Sequence, residues 1–164
     1  MGVWEDQRFL DSCDPRIASL YRYWTAKRSG RAMPSRGDID PIEMKPWLGR
    51  IALIDVAEEP EGLRWRLVGS ELTIESGVDL TGKRVDEASY LGDSAVAYSA
   101  LTEFAARGVP RYRNDPLTAA SGWFRSTERL YLPLSGAGRR VDMILLYVLN
   151  DILVDPYDRN RDFP

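Results

Sequence analysis

The chain has 164 residues, of which 44% are hydrophobic and 29% charged, with a formal net charge of −3 and a pI of about 5.1. This length suits one domain, the slightly acidic balance argues against a nucleic-acid partner, and no apolar run approaches the roughly 20 residues of a membrane span. Because the sequence has no histidine, it excludes Ser-His-Asp and Cys-His catalysis, histidine-ligated zinc and the usual haem ligand.

We expect no secretion signal at the start of the chain, since residues 1–8 lack a basic start followed by an apolar stretch. Cys13 is the only cysteine, so an internal disulfide is not possible and a reducing compartment such as the cytoplasm fits best. Carboxylates remain as metal ligands, but no acidic cluster has the spacing of a calcium-binding loop. We therefore expect no metal site.

The first predicted helix begins with Asp14 as its N-cap and Pro15 as its first residue, and Gly30 can end it. Its apolar stripe follows the spacing of one helix face and consists of Ile17, Leu20, Tyr21 and Trp24. Two interpretations remain open, because the stripe either packs on its own domain or forms a homodimer interface. We predict the homodimer, since the stripe would otherwise expose an apolar patch, and Trp24→Glu would then give a soluble monomer.

The chain divides by pattern into a helix and connector at 1–50, a core at 51–149 and a charged tail at 150–164. The core opens with two strands, at 51–56 and 63–68, joined by an acidic turn. Short helices follow, and a longer one runs from about Asp93 to Arg107. A weak strand at 110–117 and a strong one at 123–134 come next.

The last hairpin is the clearest signal in the sequence, because two apolar runs flank the Gly-rich turn at 135–138. Leu130, Leu132 and Leu134 alternate onto one face of the first strand. The second strand, at 141–149, is apolar at nearly every position. A strand covered on both faces is expected at the centre of a sheet.

This order of elements resembles a PAS domain, and more narrowly the family of small bacterial single-PAS-domain proteins, from about residue 14 to residue 149. The shared stretches are Tyr23-Trp24 with Arg28, Gly30, Pro34, Arg36 and Asp38-Ile39-Asp40-Pro41; Arg64-Trp65-Arg66-Leu67-Val68-Gly69-Ser70; Leu80-Thr81-Gly82-Lys83; and Glu128-Arg129-Leu130-Tyr131-Leu132-Pro133-Leu134 with Val141-Asp142-Met143. The resemblance implies an α+β fold with a five-stranded antiparallel sheet in the order 2-1-5-4-3, helices over one face, and an N-terminal flanking helix.

PAS domains bind small ligands, flavin or haem in a cup between the sheet and its helices, dimerise through flanking helices and pass signals to effectors. This chain lacks the histidine that holds haem and has no cysteine in the helical region where blue-light sensors attach flavin. The resemblance therefore implies a non-enzymatic sensory module without a cofactor. Its partners would be an unknown small molecule and a signalling protein, with no effector domain of its own.

The ligand pocket is expected between the sheet and the helices spanning 70–107. Its candidate walls are Trp65, Leu72, Tyr98, Tyr131 and Met143. The same residues could instead be plain core, as any sheet–helix cup needs such side chains. The assignment depends on which strand face points inward, because a one-residue error in the pleat exchanges the two faces.

The polar residues of the strands leave two further alternatives open. Arg64, Arg66 and Arg129 form ion pairs with Glu128 and Asp142, or they anchor a carboxylate ligand. A small enzyme with a similar cone-shaped fold could use Asp142 as a base and Tyr131 as a proton donor. A ligand-free interaction module is the remaining alternative.

Overall fold

The computed structural model describes residues 7–118 and 124–154, and the side chains of residues 7–115 and 127–150. Its helices are α1 (Pro15–Lys27), α2 (Ser70–Ser76) and α3 (Ser94–Arg107), with 3-10 turns at Gln7–Asp11, Arg36–Asp38 and Leu48–Arg50. Its strands are β1 (Ile51–Val56), β2 (Leu63–Val68), β3 (Arg111–Thr118), β4 (Phe124–Leu134) and β5 (Met143–Val154).

The five strands form one antiparallel sheet in the order β2-β1-β5-β4-β3, which confirms the predicted α+β fold and its strand order. β5 lies at the centre, between β1 and β4. It runs to Val154, so the strand continues past residue 149 into the segment predicted as a tail. Trp123, predicted to start β4, and residues 155–164 lie outside the described residues.

Side-chain caps fix where the two long helices begin. The carboxylate of Asp14 accepts a hydrogen bond from the Arg16 amide at 2.8 Å, and that of Asp93 accepts from the Val96 amide at 3.0 Å. These bonds satisfy amides that have no partner within the helix. Gly108 ends α3 with φ at +65°, a left-handed conformation that glycine adopts without a steric penalty.

The register gives the sheet two distinct faces, because successive side chains on a strand point to opposite sides. Tyr131, Leu146 and Ala52 lie in register on one side, which is covered by α3 and is called here the α3 face. Leu132, Leu145 and Leu53 lie in register on the other side, called here the α1 face. Residues 143–149 are buried without interruption, as expected of a strand covered on both sides.

The N-terminal segment covers the α1 face. Phe9 stacks on Tyr112 of β3 with ring centroids 4.9 Å apart and meets the ring of Tyr21 edge-on at 5.4 Å. The Asp14 amide donates to the carboxylate of Glu128 at 2.9 Å. Tyr112 and Glu128 share the face of Leu130. The helix therefore packs on its own domain.

The four stripe residues are buried within one chain, with exposures of 3% or less: Ile17, Leu20, Tyr21 and Trp24. The exposed apolar patch from which a dimer through this helix was predicted does not exist, because the sheet of the same chain covers it. A homodimer stays a prediction, and it would need another surface.

Candidate functional site

A cavity of about 190 Å³ lies between α3 and the β3–β4 end of the sheet. Its apolar wall consists of Leu91, Val96, Ala97, Ala100, Leu101 and Phe104. Its polar wall consists of Arg111, Arg113 and Asp115 from β3 and Arg129 and Tyr131 from β4. The polar residues occupy alternate positions along their strands, and that spacing brings them to the same face.

The register places two arginines directly opposite each other, because Arg113 pairs with Arg129 across the two strands. Like charges in that arrangement repel. Asp115 offsets the repulsion, since one carboxylate oxygen accepts from Arg113 at 2.7 Å and the other forms an ion pair with Arg129. Arg111 stands opposite Tyr131. The lining thus holds three arginines and one acid, which pairs with two of them, so the cavity keeps an excess of positive charge.

Arg129 is the most buried charged group of the cavity, with 5% of the residue exposed. Its Nη1 lies 3.3 Å from the hydroxyl oxygen of Tyr131, to which it donates. Its Nε has no hydrogen-bond partner among the described residues. A buried donor without an acceptor costs free energy, so this arginine is not fully satisfied by the described protein groups.

The ionisation of Asp115 and Tyr131 follows from these neighbours. Burial acts to raise the pKa of Asp115, but hydrogen bonds and charges from Arg113 and Arg129 outweigh it, so the pKa lies below its ordinary value. Burial raises the pKa of Tyr131, although the charge of Arg129 opposes the shift. At neutral pH the carboxyl is therefore charged and the phenol is neutral.

Acid should weaken the fold through Asp115. Because its folded pKa is lowered, its contribution to the free energy of unfolding is complete above its unfolded pKa of about 3.9 and is lost as pH falls through the folded value. We expect Asp115→Asn to have a flatter stability profile than the parent below about pH 4. Urea unfolding between pH 6 and 3 measures it, with the exposed Asp11→Asn as a control. Parallel profiles for parent and Asp115→Asn would contradict the expectation.

Of the five predicted pocket residues, the structure places only Tyr131 in this cavity. Trp65 is fully buried near the other edge of the sheet, where its indole donates to the Ala88 carbonyl at 2.8 Å. Leu72 is buried on α2. The Tyr98 hydroxyl instead donates a hydrogen bond to the carboxylate of Glu59. The hydrogen bonds from Tyr98 and Arg84 lower the pKa of the Glu59 carboxyl.

The assignment of Met143 to the wall around Tyr131 was wrong. Met143 pairs with Leu134, whereas Tyr131 pairs with Leu146, so the two side chains lie on opposite sides of the sheet. Met143 is buried on the α1 face. A Met143→Trp substitution would overpack that face rather than fill the cavity.

The other polar candidates are not brought together. Arg66 lies 3.5 Å from Asp55, and Arg64 donates to the Gly82 carbonyl at 3.3 Å. Asp142 is exposed and accepts from the Gly136 amide at 2.7 Å, a bond that closes the β4–β5 turn. It therefore does not form a base–donor pair with the buried Tyr131.

Within 7–118 and 124–154, no three or more cysteine, aspartate or glutamate side chains are grouped as a metal ion would require. None of the helices described there has the length and apolar character needed to cross a membrane.

Comparison with protein-family models gives a match to the model described as "PAS domain" over residues 14–146. A search of curated proteins finds no match.

Solved structures match this chain at low sequence identity. The PAS domain of Bordetella pertussis BvgS is 23% identical with a TM-score of 0.52, covering 68% of this chain and 82% of that one. The LOV protein of Rhodobacter sphaeroides is 13% identical with a TM-score of 0.49, covering 73% of each chain. The LOV domain of the Erythrobacter litoralis EL346 blue-light activated histidine kinase is 11% identical with a TM-score of 0.45, covering 61% and 93%.

Proposed function

The chain belongs to the PAS domain family, and from that premise we propose that it is a sensory signalling module that binds a small ligand in the cavity between α3 and the β3–β4 strands. The observation that carries the proposal is the cavity itself, with a buried Arg129 whose Nε lacks a partner among the described residues. Concave sites with an apolar lining and a few convergent polar groups are typical of ligand pockets.

Binding is favoured over catalysis by the chemistry of the lining. The arginines carry a fixed charge, and the phenol of Tyr131 is held neutral, so the described lining offers no base other than an ion-paired Asp115. Asp142 and Tyr131, the base and proton donor of the enzyme alternative, are not brought together, because Asp142 lies in the β4–β5 turn and Tyr131 lines the cavity.

A covalently attached flavin and a histidine-ligated haem do not fit the donor set of this chain. Its one cysteine, Cys13, precedes α1 on the α1 face, away from the cavity. The sequence has no histidine for haem. A volume of about 190 Å³ also lies below the roughly 300–1,000 Å³ typical of sites for larger ligands. We therefore propose a small metabolite.

A sensor must pass its state to another molecule, so the proposal includes a protein partner. It also includes a homodimer through a surface other than the buried face of α1. The single cysteine supports a reducing compartment such as the cytoplasm.

Filling the cavity should abolish ligand binding without unfolding the protein. Ala100 lines the cavity from α3 and is exposed at its rim, so Ala100→Phe adds a ring there at little cost to the core. Native mass spectrometry of freshly purified protein should show a retained small molecule in the parent and its loss in Ala100→Phe. The matched control is Ala95→Phe, which adds the same ring at an exposed position of α3 outside the lining.

Retention of the same molecule by Ala100→Phe would place binding elsewhere. Parent protein that carries no small molecule and is not stabilised by any compound in a metabolite screen would make the chain a ligand-free interaction module instead.

A further inference from the structure

We propose that the cavity is specific for a small organic carboxylate, held by Arg111 and Arg129 with its carbon skeleton against α3. The inference deepens the proposed function, on which it rests, by naming the chemical class of the ligand. It follows from the balance of charge, the free hydrogen-bond donors and the size of the cavity.

The charge balance calls for an anion. Three arginines and one aspartate line the cavity, and that aspartate is already engaged by two of the arginines. Concentrated positive charge against a low-dielectric wall favours a bound anion, because the wall screens less than water does.

The donors that remain are those a carboxylate would use. Arg111 has no hydrogen-bond or ion-pair partner among the described residues, although it lines the cavity next to Tyr131. Arg129 also lines the cavity, and its buried Nε–H has no hydrogen-bond partner among the described residues. Guanidinium groups bind carboxylates with planar, charge-assisted hydrogen bonds that are about twice as strong as neutral ones.

The apolar wall limits the size and the polarity of the ligand's carbon skeleton. Leu101 and Phe104 are buried, while Val96 and Ala100 form an exposed rim. An apolar cavity of about 150 Å³ holds a benzene molecule, so about 190 Å³ has room for a skeleton of that size with one carboxylate. Long-chain acids and dinucleotides are too large for the described space.

Each carboxylate should bind about tenfold or more tightly than its primary amide, which has nearly the same shape without the charge. The probes are benzoate with benzamide and hexanoate with hexanamide, titrated into the full chain at pH 7. The readout is the shift in thermal unfolding temperature, which rises with ligand concentration for any ligand that binds the folded state. We expect benzoate or hexanoate to raise it and the amides to have little effect.

Substitutions distinguish binding by the cavity arginines from a general effect of the protein's positive charges. Arg111→Gln keeps a hydrogen-bonding side chain at a half-exposed position. This variant should need at least tenfold more carboxylate to reach the same rise in unfolding temperature as the parent. Arg129→Lys tests the buried donor, and Arg111→Gln keeps the test decisive if that variant does not fold. The control is Arg107→Gln, since Arg107 lies on the exposed side of α3 and pairs with Glu103 at 2.9 Å.

The outcomes distinguish the ligand class from the proposed function. Equal binding of acids and amides, or full carboxylate binding by Arg111→Gln, would overturn the proposal that the ligand is a carboxylate. The proposal that the chain is a ligand-binding sensor would still stand. Failure of both acids, while Ala100→Phe still removes a molecule seen in the native mass spectrum, would do the same. Failure of both acids, together with no retained molecule and no stabilising compound in the metabolite screen, would overturn both proposals.

Discussion

Trp24→Glu should unfold the protein instead of releasing a soluble monomer. Trp24 is 0% exposed in α1, its ring lies 6.3 Å from that of Tyr21, and its indole donates to the Pro133 carbonyl at 3.0 Å. Removing a buried aromatic side chain costs about 3–5 kcal/mol, and a buried carboxylate without a partner adds several more. Together these approach the roughly 5–15 kcal/mol that holds a domain folded.

Circular dichroism and urea unfolding of Trp24→Glu measure the result. The matched control is Ala26→Glu, which places the same charge on an exposed position of the same helix and should change stability by less than about 1 kcal/mol. A folded Trp24→Glu monomer obtained from a parent dimer would show that α1 leaves its own sheet in solution.

Gly69→Ala should lower the thermal unfolding temperature sharply. A Cβ at Gly69 would collide with the Gly49 carbonyl oxygen and stand 2.5 Å from that of Leu48, and both are backbone atoms. The Gly69 amide also donates to the Ile51 carbonyl at 2.7 Å, which holds the two segments together. The added methyl can be accepted only if the chain moves, which should cost about 3 kcal/mol, or roughly 6–12 °C for a domain of this size.

The backbone angles of Gly69, φ −61° and ψ 149°, suit alanine, so the expected loss comes from contact alone. Gly37→Ala is the control, because a Cβ there meets nothing closer than the Ser35 hydroxyl oxygen at 3.6 Å. Differential scanning calorimetry of both variants gives the comparison. Equal unfolding temperatures would mean that the Leu48–Gly49 segment adapts freely.

The strands and long helices were predictable because each carries a local signal. An apolar run predicted β1 and alternation predicted β2, both at their observed bounds, and Asp14 and Asp93 marked the helix starts. The surface that the apolar stripe of α1 contacts could not be predicted from the residues of the helix alone. Whether an apolar stripe meets its own sheet or a second chain depends on contacts such as that of Asp14 with Glu128, 114 residues away.

The cavity was harder to predict because it depends on which sheet face each side chain occupies and on which residues pair across neighbouring strands. Tyr131 lines the cavity, whereas Met143 lies on the opposite side of the sheet. Counting residues across the β4–β5 turn does not show which residues pair, so the sequence alone could not separate the two. Arg111 and Arg113 were not considered as site residues. Their signal was present as two arginines and an aspartate at alternate positions of a weak edge strand, an unusual concentration of charge on one face.

The central place of β5 has a kinetic consequence. The β1–β2 and β4–β5 hairpins can form early, because each joins neighbouring segments. The pairing of β1 with β5 closes the sheet, and the contacts of α1 with β4 span 109 and 114 residues. Loop-closure entropy must be overcome before those contacts form. We therefore expect the β1–β2 and β4–β5 hairpins to pair with each other late in folding. Until they do, the free edge of β5 can associate with other unfolded chains and aggregate.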